Sequence, residues 1–222
     1  MKKIIALLCC VSIASLAIAN PIKFSYFRFK DGFYFGGRLN NGICNFKTDA
    51  SSQLIQLQGG DFSSYGLACG YMLNHHLGIQ TGVNMNNYHW VFMQNNIDNS
   101  FQRNTHQKSI TVPITLRYLS SRPNKVGVFA NAGMQWCVLS QTSMLTVAYT
   151  LIGPNYSTSD DNSFYKNTTT MLTASTGIHI PSGRFSIDIG AEYAKGSNIS
   201  KESYYSLTPK FITGFLQVNC RL

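Results

Sequence analysis

Five charged residues carry the clearest chemical signal in this 222-residue chain: Arg38, Arg117, Asp188, Glu192 and Arg221. Each stands in a segment whose residues alternate with a period of two. Opposite charges from distant segments can pair if the fold gathers them in one interior. They can also line a pore that selects solutes by charge. Nucleophilic catalysis would need a nucleophile, a base within hydrogen-bond reach and a group orienting that base. His179 with Ser182, and His106 with Ser109, come nearest to that pattern. No carboxylate is visibly placed beside His179, and His75 and His76 are expected in a solvated turn. Cys44, Cys69, Cys137 and Cys220 show no CxxC or zinc spacing. No catalytic residue, metal, cofactor or obligatory disulfide is expected.

The elements that must position these charges are strands. Phe211 to Leu222 alternates almost without fault: Ile212, Gly214, Leu216, Val218, Cys220 and Leu222 share one face, and Thr213, Gln217, Asn219 and Arg221 the other. Six further segments with this pattern begin near Gly32, Ser64, Leu77, Ile110, Val126 and Thr168, and another spans Phe185 to Tyr193. In each, one face is apolar; the charged residues fall on the other. Pro113 interrupts the fourth segment and is expected at a bulge or an unpaired position, because proline cannot donate to a ladder. Tyr88, Trp90 and Phe92 cluster at the end of the third segment. With Trp136 and Tyr193 they are expected to form an aromatic belt at a membrane interface.

The N-terminus has the form of a secretory leader. Lys2 and Lys3 precede a mostly apolar run from Ile4 to Ile18, and Ala17-Ile18-Ala19 supplies a small-x-small cleavage pattern. Residues 1–19 are thus expected to be a signal peptide and 20–222 one domain. Beyond the leader no apolar run reaches the ~20 residues of a membrane helix. Charged residues are only 12% of the chain, low for a soluble surface, and aromatic residues are 13%. The formal net charge is +9, but the basic residues lie scattered in turns and loops. Nothing resembles a nucleic-acid patch, and a positive rim facing anionic lipid or polysaccharide is an alternative to plain loop solvation.

Roughly eight strands are expected, joined by connections that alternate long and short. The longest run from Asn41 to Phe62, Gln94 to Thr105 and Gln141 to Asn167, the last with a short hairpin near Met144 to Ile152. Transmembrane barrels keep short turns at the periplasmic end and long loops outside; a soluble sandwich has no reason to do so. The expected fold is an all-β, antiparallel, up-and-down transmembrane barrel, a monomer lying in outer-membrane lipid and lipopolysaccharide.

The segment Ser109 to Tyr118 (Ser-Ile-Thr-Val-Pro-Ile-Thr-Leu-Arg-Tyr), followed by Val126-Gly-Val-Phe-Ala-Asn-Ala-Gly133, resembles the signature strand of the PorT-like outer-membrane β-barrel family. Gly66 to Gly70 and Leu77 to Gly82 fit its glycine spacing. In plan the chain is also similar to small OmpA, OmpX and OmpW-type barrels. The resemblance implies a Gram-negative outer membrane and no fixed reaction; some PorT-like proteins take part in secretion. Leu222 stands where such barrels commonly end on an aromatic residue.

The expected role is structural or interactive at the cell surface, around a lumen plugged by the paired charges. The alternatives are a narrow channel for small or apolar solutes, or a lipid A-modifying enzyme. Tyr149, Tyr156, Phe164, Tyr165, Tyr204 and Tyr205 are the aromatic loop residues available to a surface ligand.

Overall fold

A strand with one wet and one dry face can satisfy both its edges and both its faces by closing into a ring. The computed structural model describes residues 32–48, 55–95, 100–150, 153–159, 165–201 and 206–222. The signal peptide expected at 1–19 lies outside them, as do Phe164, Tyr204 and Tyr205. In chain order the strands are β1 (Phe33–Thr48), β2 (Ile55–Gln58), β3 (Gly60–Met72), β4 (Leu77–Asn95) and β5 (Ser100–Leu119). They continue as β6 (Gly127–Thr150), β7 (Gly153–Ser159), β8 (Thr168–Ser182), β9 (Phe185–Gly196) and β10 (Leu207–Arg221). All pairings are antiparallel. β1, β3, β4, β5, β6, β8, β9 and β10 form the ring, closed by β10 against β1.

The ladder pairs define the tilt of this ring. Stepping from Ile43 through Ile212, Tyr193, Ala174, Ala132, Leu116, Ile79 and Tyr71 returns to β1 at Phe33, ten residues from the start. With ~4.8 Å between strands and ~3.3 Å per residue, this offset tilts the strands by about 40°, as closed barrels require. Every residue on the walk faces outward.

Outside, the ring is apolar over most of its height. Towards the end with the long connections the outward residues turn polar on every strand. The change runs from Ile43 to Asn45 on β1, Tyr65 to Ser63 on β3, Met85 to Asn87 on β4 and Ile110 to Lys108 on β5. It continues from Val138 to Ser140 on β6, Leu172 to Thr170 on β8, Tyr193 to Lys195 on β9 and Ile212 to Lys210 on β10. The strands do not stop there. β4 continues to Asn95, which pairs with Ser100 of β5, and β6 continues to Thr150, which pairs with Gly153 of β7. Within the segments expected as loops at 94–105 and 141–167, residues 94–95, 100–105, 141–150 and 153–159 are thus paired strand. Polar side chains above the apolar zone remove the hydrophobic mark of a strand but not its ladder hydrogen bonds.

β2 and β7 flank this extension in the order β2-β4-β5-β6-β7, a five-stranded sheet raised over one side of the ring. The register shifts between Lys108 and Ser109 leave Ser140 as an extra residue on β6 where the polar zone begins. Below it the odd residues Asn131, Gln135 and Cys137 face inward; above it Thr142 and Met144 do. Pro113 opens the β4–β5 ladder, which skips from Thr81↔Ile114 to Asn84↔Thr111. At the other end the turns are short: β8 and β9 join through Gly183-Arg184, with Gly183 at φ 60°, a conformation glycine reaches without strain.

Arginine in place of Ile114, midway along the apolar outer face of β5, is expected to lower stability in lipid by about 2–4 kcal/mol. The same change at Gln141, above the apolar zone, is expected to cost less than about 1 kcal/mol. The temperature at which unheated protein loses its folded gel mobility measures both.

Candidate functional site

Inward side chains from all eight ring strands meet on the barrel axis, so residues far apart in sequence become neighbours. Near the short-turn end, Asp188 of β9 is fully buried. Its Oδ2 accepts from Arg117 Nη2 at 2.8 Å and from Asn219 Nδ2 at 2.9 Å, and its Oδ1 lies 2.6 Å from His179 Nδ1. A ring of amides continues the network. Arg117 Nη1 and the Tyr34 hydroxyl donate to Gln80 Oε1 at 3.4 and 3.0 Å; Gln80 Nε2 donates to Gln217 at 3.3 Å, and Gln217 Nε2 to Asn219 at 2.6 Å.

The turn between β5 and β6 reaches into this end of the barrel. Pro123 is buried, and its carbonyl oxygen lies 3.0 Å from His179 Nε2 and accepts from Arg221 Nη2 at 2.6 Å. Both ring nitrogens of His179 thus face an oxygen atom. Arg221 is therefore anchored to a backbone carbonyl, where a carboxylate partner had been expected.

A second pair lies further along the axis. Arg38 Nη2 donates to Glu192 Oε2 at 2.7 Å, Arg38 Nε donates to Asn40 at 2.8 Å, and Gln135 Nε2 donates to Glu192 Oε1 at 3.2 Å. Two aromatic rings separate the pairs. Arg38 sits over Phe215 at 4.0 Å, Arg117 over Phe129 at 4.9 Å, and the two rings are 5.8 Å apart. A β-carbon at Gly70 would collide with the Tyr34 ring beside this layer; glycine there gives that ring its space.

Beyond Glu192 the lumen is aromatic. Tyr88, Trp90 and Phe92 are buried with Phe62, Tyr165 and Phe211. Phe62 and Phe211 lie 5.0 Å apart, Tyr88 and Phe211 5.4 Å, and Trp90 meets Tyr165 edge-on at 5.9 Å. This overturns the lipid-facing belt expected for Tyr88, Trp90 and Phe92. They continue the even-numbered inward face of Gln80, Asn84 and Asn86 on the same unbroken strand. Trp136 and Tyr193 do face outward, just inside the polar zone, and Tyr65 joins them there. Phe33, Tyr118 and Phe185 face outward near the opposite end. The cavity between the aromatic cluster and Glu192 measures about 30 Å³, room for one or two waters.

The histidine–serine pairs do not assemble. His179 is buried while Ser182 is exposed, and outward His106 lies tilted against His89, ring centroids 4.5 Å apart, while Ser109 is buried and accepts from Asn86 at 3.1 Å. Three residues apart on a strand means opposite faces.

A closed eight-stranded ring with an apolar outer zone and a polar core matches one known pattern. The model of the outer membrane protein β-barrel domain matches residues 28–200. The chain belongs to this outer-membrane β-barrel family. No curated protein sequence matches it. Among solved structures, the outer membrane protein OprG from Pseudomonas aeruginosa is similar in fold, with a TM-score of 0.55 at 13% identity, over 87% of this chain and 97% of that one. Neisserial surface protein A gives a TM-score of 0.42 at 11% identity, over 86% and 97% of the two chains. The Yersinia pestis attachment invasion locus protein Ail gives 0.37 at 12%, over 85% and 99%.

For an outer-membrane barrel the short turns lie on the periplasmic side and the raised sheet outside. The outward apolar zone faces lipid, and the charged pairs sit in the lumen where their mutual attraction is least screened. Removing one partner of the buried pair, by Asp188→Leu or Arg117→Met, is expected to cost about 3–5 kcal/mol, because the other charge stays buried. The double variant is expected to cost less than the sum of the two. A double-mutant cycle on the folded-band transition temperature measures this coupling.

Proposed function

We propose that this barrel is closed to solutes and serves at the cell surface, with the raised sheet as its working part. The stack inside the lumen supports the reading: the Pro123 turn, the Asp188 network, the Phe129 and Phe215 rings, the Arg38–Glu192 pair and the aromatic cluster follow one another along the axis. Eight strands leave only enough interior for side chains, and these side chains occupy it. Above the lipid, Tyr149 and Tyr156 are exposed on β6 and β7, on hairpins held by a rigid scaffold as recognition loops commonly are. Tyr165 is instead a lumen residue packed on Trp90.

A non-catalytic role accords with His179, whose ring nitrogens are both engaged. Within the outer-membrane family the PorT-like reading draws support from the Ser109–Tyr118 strand, where Pro113 leaves its ladder position to β4 open and Arg117 follows on the inner face. A single chain closes the ring, which favours a monomer.

In planar lipid bilayers the purified protein is expected to give no steady conductance. Steady openings altered by Arg117→Met would replace this reading with a narrow channel.

A further inference from the structure

Three lysines stand together on the outer surface at the external edge of the apolar zone. Lys195 of β9 and Lys210 of β10 are directly opposed cross-strand partners, and both face outward. Lys210 is also paired with Asn45 of β1, and Lys47, two residues further along β1 on the same face, lies diagonal to it. Directly opposed side chains have β-carbons about 5 Å apart and diagonal ones about 7–8 Å. Like charges so placed repel, and nothing on these strands relieves them. The carboxylates of β9, Asp188 and Glu192, point into the lumen, and β1, β8 and β10 contain none. Among the described residues the acidic group facing outward nearby is Asp61, opposite Ile43 on the far side of β1. No ion pair joins any of the three lysines among the described residues.

The surroundings specify a ligand with two parts. Immediately on the membrane side of the lysines lie Tyr193, Ile212, Leu172 and Ile43, all outward. A bound group must therefore be anionic at its head and apolar beneath, and must approach from the outer leaflet. A phosphate offers three oxygens to ammonium donors, and its charge offsets a repulsion the protein leaves unrelieved.

We propose that Lys47, Lys195 and Lys210 form a binding site for a phosphate of the lipid A moiety of lipopolysaccharide, with its acyl chain along Tyr193, Ile212 and Leu172. The site rests on the long-connection end facing the outer leaflet. It does not depend on whether the lumen is closed.

The test uses the full mature chain in detergent, titrated with bisphosphorylated lipid A and, separately, with chemically dephosphorylated lipid A. Bound lipid is counted by native mass spectrometry. Wild type is expected to prefer the phosphorylated form at least tenfold. K195Q/K210Q is expected to lose that preference, while K108Q/K166Q, which removes the same charge elsewhere, keeps it. K195Q/K210Q is also expected to keep the folded gel mobility and to be no less stable than wild type without lipid. Equal loss in both double variants would overturn the site in favour of diffuse charge attraction. Equal wild-type binding of the two lipids would overturn it as well. Should K195Q/K210Q fail to fold, K195Q alone carries the comparison, and an unchanged preference there would overturn the proposal. Failure of the closed-barrel reading shows separately, as bilayer conductance.

Discussion

Everything in this molecule follows from the need to hydrogen-bond every strand edge where no water is available. In hydrocarbon an open sheet edge costs several kcal/mol for each unpaired group, so β10 must return to β1. Eight strands with a ten-residue offset meet that need in a single chain. The same geometry sets a narrow bore, and a narrow bore must be filled with side chains. Alternation then has no freedom: each strand presents lipid with one set of residues and the axis with the other. A charged residue anywhere in the apolar zone can only face in.

Facing in brings its own cost. A buried ion pair loses more by desolvation than it regains by attraction, unless further hydrogen bonds occupy the remaining sites. The lumen meets that condition at Asp188, which has Arg117, Asn219 and His179 around one carboxylate. Glu192 has Arg38 and Gln135. The rings of Phe129 and Phe215 lie between these groups and offer each arginine an aromatic face. The pairs are thus separated along the axis and each is satisfied locally. Such an interior specifies a single arrangement of eight strands more sharply than an apolar filling would, since a register slip would strand a charge.

The sequence made the ring strands legible because lipid demands apolar residues at every second position. The signal disappears above the lipid, so the upper parts of β4, β5 and β6 read as loops although their ladders continue. The inward placement of Tyr88, Trp90 and Phe92 was available in principle, since Gln80, Asn84 and Asn86 set the parity and no bulge intervenes on β4. Composition suggested a belt; phase decided otherwise. The same counting separates His179 from Ser182. The contact of His179 with Asp188 follows from the tight turn at Gly183-Arg184, which fixes the register of β8 on β9. The role of Pro123 had no such signal, because the path of a turn back into a barrel mouth leaves no periodic mark.

The extra residue at Ser140 separates two parts of one continuous strand. Below it, β6 is locked in phase with the barrel; above it, the phase is reset for the raised sheet. On β6 the phase is therefore interrupted at the membrane surface, while β4 and β5 carry theirs through. Residues gained or lost on β6 beyond that joint would rephase its external part alone. The chain can thus vary its exposed face over generations while the membrane-embedded ring keeps its pattern.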